Sequence, residues 1–194
     1  MWRERLTELA RELKHPAWGY DHGERVYRLA LDLAGGEPID EAALFAAARL
    51  HDLGAFAPYR QIERDHALRS AEVAPQLLAE AGFPAGKTAL VQEIIRGHMF
   101  DAEPGPSREA VFFHDADTLD FLGAVGAARL LAVVGLDDWT PDLPAAVALL
   151  RRFALELPAR VHSSRARDLA RTRQAELNSF LEALASATYG FRLL

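Results

Sequence analysis

The sequence contains no cysteine, which excludes disulfide bonds, thiolate metal sites and cysteine nucleophiles together. Any metal ion must therefore be held by nitrogen and oxygen. An excess of basic charge is also missing: 28 acidic against 22 basic residues give a formal net charge of -6. That balance argues against a general nucleic-acid surface and leaves room for a small phosphorylated ligand. No apolar stretch is long enough to span a bilayer, and residues 1–14 are charged and amphipathic rather than basic and then apolar. The expected location is the cytoplasm. Strand patterns, repeats and low-complexity tracts are absent too, which makes this an all-α chain. Its 194 residues, 50% hydrophobic and 26% charged, suffice for one well-buried domain and are short for two.

Periodicity predicts a succession of helices. The first covers residues 2–14, with Leu6, Leu9 and Leu13 on one side. Asp21 is a candidate N-cap for a helix to about Leu33, stopped by Gly35 and Gly36. Asp40 can cap an alanine-rich helix that carries His51 and Asp52 at its end, with Gly54 as terminator. Gly54, Pro58 and the polar run 60–65 form a loop suited to lie over a site. Further helices are expected over 66–80, where Pro75 should kink or trim the helix, and over 87–100. After the Pro- and Gly-containing loop 101–108 come the largely apolar 110–136, a helix from Pro141 and Pro144 through Leu155, and a last helix over 164–187.

The histidines fall in a pattern. His22, His51, His66 and His98 each lie on the apolar stripe of a different predicted helix, and Asp117 shares a stripe with Phe113 and Phe121. One buried histidine is usually a hydrogen-bonded core residue. Four on four helices, with two aspartates, are more readily satisfied together around a divalent ion. Facing helices of a bundle are a common place to assemble such a site. A carboxylate buried at Asp52 requires a cation or a basic side chain opposite it. The His51-Asp52 dipeptide alone also fits a capped core histidine beside a solvated aspartate.

These residues carry a family resemblance. The order His22, then His51-Asp52, then an aspartate in Ala116-Asp117-Thr118-Leu119 resembles the His, His-Asp, Asp signature of the HD-domain superfamily of metal-dependent phosphohydrolases. Asp21-His22-Gly23-Glu24-Arg25-Val26 is similar to the family's His-x-x-Arg-Val opening. The segment from Asp115 to Asp120 with Gly123-Ala124-Val125-Gly126 and Arg129 resembles a bacterial subgroup of small, stand-alone HD hydrolases. The tail, Ala166-Arg167-Asp168-Leu169-Ala170 with Arg173 and Phe180-Leu181, looks like that subgroup as well.

The resemblance implies one all-α HD domain over 1–194, a helical bundle around a central metal site. Its motif region would run from about 21 to 130, with C-terminal helices over 141–187 packed on it. It assigns His22, His51, Asp52 and Asp117 to a first metal, with Asp52 also catalytic. Asp117 is preferred because the family's aspartate precedes x-Leu; Asp115 and Asp120 are the alternatives. His66 and His98 occupy the places of extra ligands in two-metal relatives, with Asp52 as the bridge, or else line the pocket as proton or hydrogen-bond donors.

The implied cofactor is one or two divalent ions per chain, with Mn, Mg, Fe, Co, Ni and Zn not distinguished. Metal-activated water would hydrolyse a phosphate ester or anhydride of a small molecule, most plausibly a nucleotide. Arg25, Arg96 and Arg129 are candidates to touch the phosphate, each weighed against an ordinary solvated or salt-bridged role. The rivals are a di-iron oxygenase of the same fold and a non-catalytic nucleotide-binding or sensor module. No nucleic-acid polymer or membrane is expected as partner, and the apolar faces could either pack a homodimer or be consumed by the core.

Overall fold

The computed structural model describes residues 1–194 and contains no strand. Nine α-helices follow one another: α1 Trp2–Glu12, α2 Tyr20–Ala34, α3 Glu41–Leu50, α4 His66–Ala81, α5 Thr88–Arg96, α6 Arg108–Leu119, α7 Gly123–Ala132, α8 Leu143–Glu156 and α9 Ser164–Ala187. No helix is long and apolar enough to cross a membrane. The chain divides into two compact units, residues 1–117 and 118–194.

In the first unit α3 is central, packed against α1, α2 and α5, and every residue from Ala43 to Leu50 is buried. Its four buried alanines, Ala43, Ala46, Ala47 and Ala48, let neighbouring helices approach closely. Asp40 caps it as expected, accepting from Ala43 N at 3.1 Å, and also receives Lys87 Nζ at 2.9 Å. In α2 the N-cap is Gly19, at φ 124°, rather than Asp21. Asp21 sits in the first turn, where a carboxylate suits the positive end of the helix dipole.

Three further departures have identifiable causes. Pro75 lies inside a continuous α4. The carbonyl four residues back that Pro75 cannot serve, Ala71 O, accepts instead from Gln92 Nε2 of α5 at 2.8 Å. The helix over 87–100 stops at Arg96 with Gly97 as its C-cap, and the backbone of Glu103 and Pro104 folds over that glycine, 2.8 and 2.9 Å from where a Cβ would stand. His98 therefore stands just beyond α5 rather than on it. Gly54 does not end α3 in a left-handed conformation. Helical backbone continues through His51 (φ -60°, ψ -34°) and Asp52 (φ -95°, ψ -2°) into a short 3₁₀ turn, Leu53–Ala55.

Gly54 is required instead by close approach, since a Cβ there would fall 2.3 Å from His66 O and 2.9 Å from Ser70 N. Its own N–H donates to Ser70 Oγ at 2.8 Å. The start of α4 is thus pressed against the segment that follows Asp52.

The second unit takes the end of α6 and α7 to α9. The apolar run 110–136 is split by Gly123, at φ 68°, a left-handed backbone that glycine adopts freely. Asp142 caps α8 through Ala145 N at 2.8 Å, and Ser163 caps α9 through Ala166 N at 3.3 Å. Gln174 Nε2 donates to Ala154 O at 2.6 Å and ties α9 to α8.

Gly54→Ala should destabilise the protein by about 1 to 3 kcal/mol, because the clashing atoms are backbone and cannot step aside. Urea denaturation measures this. A variant with unchanged midpoint would show that the approach of α4 to the 3₁₀ turn is not tight.

Candidate metal centre

Five segments of the first unit bring their ends to one place. α2 contributes His22 from its first turn. The end of α3 contributes His51 and Asp52, α4 begins with His66, His98 follows α5, and α6 carries Asp117. All but one of these side chains are buried; His66 retains 26% exposure, so the site meets solvent on its side.

The first set of donors is close-packed. His22 Nε2 lies 3.1 Å from His51 Nε2, 3.1 Å from Asp117 Oδ1 and 3.6 Å from Asp52 Oδ2. His51 Nε2 lies 3.3 Å from Asp52 Oδ2 and 4.0 Å from Asp117 Oδ1. Two donors each about 2.1 Å from one ion stand about 3.0 Å apart at a right angle and about 3.4 Å apart at the tetrahedral angle. These spacings suit one shared cation.

The other oxygen of Asp52 faces a second pair. Oδ1 lies 3.7 Å from His66 Nε2 and 3.7 Å from His98 Nε2. Asp52 with His22 and His51, and Asp52 with His66 and His98, thus form two metal-capable groups that share one carboxylate.

Hydrogen bonds among the protein groups leave this cluster incomplete. Asp52 Oδ2, Asp117 Oδ1, His51 Nδ1 and His98 Nε2 are buried without a hydrogen-bond partner, a condition that costs about 1 to 3 kcal/mol for each neutral group and more for charged ones. His98 Nδ1 donates to Ile95 O at 2.7 Å. A neutral His98 so held presents only a lone pair from Nε2 to the Asp52 carboxylate, acceptor against acceptor. A cation between them resolves the conflict, and the backbone bond is the usual means by which a metal-ligating imidazole is oriented. The donor set fits a divalent ion bound through nitrogen and oxygen.

The electrostatics follow from burial and crowding. Burial alone pushes the Asp52 carboxyl up, but the neighbouring imidazoles of His51, His98 and His22 outweigh it and hold the group well below the usual carboxylate range. Asp117 is lowered in the same way, chiefly by His22 against the effect of burial. Burial pushes His51 down, opposed by Asp52, which favours the neutral, ligating form. For His98, burial pulls downward but Asp52 and Asp117 prevail, and its pKa is raised.

Arg25 lies one turn after His22 and is half-buried, and Arg96 ends α5 exposed. Arg129, 5% exposed, donates to Asp120 Oδ2 at 2.8 Å and to Asp120 O at 3.1 Å, with its guanidinium over the Phe121 ring at 4.6 Å. That buried pair engages both Arg129 and Asp120 structurally. Asp115 is buried; Asp117 is the α6 aspartate whose Oδ1 lies 3.1 Å from His22 Nε2, although it, like Asp115, falls outside the two groups that share Asp52.

One supporting residue escaped the sequence reading. His114 Nδ1 donates to Gly97 O at 2.9 Å and pins the backbone beside His98. It shares α6 with Asp117 at a spacing of three residues, the one signal that could have linked them.

In the metal-free chain a raised His98 pKa contributes stability that is present below the usual imidazole value of 6.5 and lost as pH rises through the raised value. A metal ion held by Asp52, His66 and His98 would have to expel that proton. Manganese affinity should therefore increase as pH rises through the raised His98 value, with proton release, as read by calorimetric titration in two buffers of different ionisation heat. Affinity independent of pH would contradict this electrostatic account.

Comparison with known proteins places this geometry in context. The sequence matches the HD domain family over residues 19–122, a span that contains all six clustered side chains. No curated protein matches it significantly. Among solved structures, Bacillus subtilis YpgQ in complex with ADP is 22% identical, with a TM-score of 0.70 over 96% of this chain and 97% of that one. A Lactobacillus plantarum protein is 23% identical, with a TM-score of 0.70 over 96% of each chain. A predicted HD superfamily hydrolase from an uncultured Thermotogales bacterium is 25% identical, with a TM-score of 0.65 over 96% of this chain and 90% of that one. Signature, fold and family match coincide on the same residues, and the chain belongs to the HD domain family.

Proposed function

We propose that the protein is a metal-dependent phosphohydrolase that cleaves a phosphate ester or anhydride of a small molecule, with a nucleotide as the substrate class. The observation that carries this reading is Asp52, whose two oxygens are divided between two imidazole pairs in a buried cluster with orphaned acceptors. The structural relative YpgQ, solved in complex with ADP, supports the nucleotide.

His22, His51, Asp52 and Asp117 would hold the first ion. Asp52 Oδ1, His66 and His98 offer three donors to a second; with a single ion bound, the same two imidazoles line the pocket, His98 able to donate from Nε2 only in its protonated form. A divalent ion held there would supply Lewis acidity, lowering the pKa of bound water toward about 7 and drawing charge from a phosphoryl oxygen. The chain's own residues supply the rest. Asp52, held well below the usual carboxylate range, stays ionised at neutral pH. The apolar surroundings of α3 exclude bulk water and strengthen every charge interaction at the site. Substrate enters from the His66 side, where the cluster is exposed. Arg25, one turn beyond His22, is the first candidate to receive the phosphate, with the exposed Arg96 as the second.

The wild-type protein loaded with manganese should release orthophosphate or pyrophosphate from at least one member of a panel of nucleoside mono-, di- and triphosphates. Asp52→Ala should lose both metal and turnover while its far-ultraviolet circular dichroism stays close to wild type. Retained turnover in that variant, or tight ADP binding by the loaded wild type with no hydrolysis of any panel member, would contradict the reading.

A further inference from the structure

Beneath the imidazoles, α2 and α3 meet through three consecutive residues of α2. His22 faces His51, with Nε2 atoms 3.1 Å apart. Gly23 lies on the backbone of Ala48, where a Cβ would stand 2.2 Å from Ala48 O. Glu24 Oε2 accepts from Arg49 Nη2. The crossing is therefore fixed by a contact that only glycine permits and by an ion pair immediately beside it, one residue and two residues along α2 from the ligand itself.

Arg49 is an unusual residue to find there. Its side chain is 2% exposed in a helix otherwise made of apolar residues between Ala42 and Leu50. Its guanidinium lies over Phe45 at 4.4 Å, Tyr20 at 4.9 Å and Tyr27 at 5.9 Å. Nε and Nη1 make no hydrogen bond, so only the Glu24 side of the fork is engaged. Replacing a buried ion pair with apolar side chains of similar volume is often neutral or stabilising. Stability alone does not explain an arginine in this position, whereas a rigid, planar group caged by three rings and clamped at one end defines a spacing.

We propose that Arg49 is a positioning residue: held by Glu24 within the Tyr20, Tyr27 and Phe45 cage, it sets α2 against α3 at the register that brings His22 Nε2 and His51 Nε2 onto one cation. The proposal rests on the metal reading above and adds to it a specific residue outside the ligand set. It also makes a prediction whose sign separates positioning from charge. Arg49 carries a positive charge two residues from His51, so its removal should tighten cation binding if electrostatics alone mattered. Positioning requires the reverse. Glu24 is not stranded by the change, since it keeps Arg28 Nε at 2.7 Å.

The test compares full-length wild type, Arg49→Met and Arg49→Lys, stripped of metal, by calorimetric titration with manganese alone and by thermal unfolding. The expected result is a metal-free Tm for Arg49→Met within about 5 °C of wild type together with manganese affinity at least about tenfold weaker, the scale on which residues supporting metal ligands act. Arg49→Lys, which keeps the charge and loses the planar fork, should fall between the two. Arg49→Met binding manganese as tightly as wild type, or more tightly, overturns the proposal and leaves the metal reading standing. If Arg49→Met does not fold, Arg49→Lys decides: affinity weakened at least about threefold supports the proposal, and unchanged affinity overturns it. A wild type that takes up no manganese removes the metal reading first, and this inference with it.

Discussion

Two carboxylates and four imidazoles cannot be gathered among apolar helices unless something compensates their mutual repulsion and lost hydration. Asp52 concentrates this constraint. It is only 8% exposed, faces four histidine nitrogens through its two oxygens, and leaves Oδ2 without a hydrogen-bond partner. A buried, unpaired carboxylate would cost several kcal/mol; the neighbouring imidazoles offset the burial of Asp52 but leave its Oδ2, His51 Nδ1 and His98 Nε2 without a hydrogen-bond partner. The arrangement around it, including the Nε2 lone pair that a neutral His98 presents once its Nδ1 is committed to Ile95 O, has the form of a coordination shell.

The fold meets this constraint by using helix ends. Only His22 and Asp117 lie within helices; His51 and Asp52 follow α3, His66 opens α4 and His98 follows α5. Ends allow side chains to converge from directions that parallel helix faces do not offer. They also need local fixing, which is supplied by close backbone contacts at Gly54 and Gly97 and by Glu93, whose Oε1 receives Ser107 N at 2.9 Å and holds the strap between His98 and α6. Ser107 in turn caps α6 through Ala110 N at 3.1 Å, so the position of Asp117 is linked to that of His98 through one short segment.

Much of this was legible in the sequence. The all-α class and the bounds of the last helix, residues 164–187, follow from periodicity and the absence of strand signals, and His22, His51, Asp52, His66, His98 and Asp117 stood out because polar groups occupied apolar stripes. What escaped depends on contacts distant in sequence. Pro75 reads locally as a kink, but Gln92 repairs the freed carbonyl from another helix. Gly54 reads as a helix terminator, but its need arises from the backbone of His66. Arg129 reads from the sequence as either a phosphate contact or a salt-bridged arginine, and its pairing with Asp120 is visible only in the fold. Arg49 drew no notice at all, because an arginine in a helix is solvated by default and nothing local reveals the aromatic cage around it.

A cation at Asp52 is what the proposed chemistry requires. Elemental analysis of protein purified without chelator, expressed as metal per chain, tests it most directly. One or two equivalents of a divalent metal, lost when Asp52 is replaced by alanine, is the predicted result. No metal in the purified protein, and none taken up when divalent ions are added back, would contradict it and return the four histidines to the role of core residues.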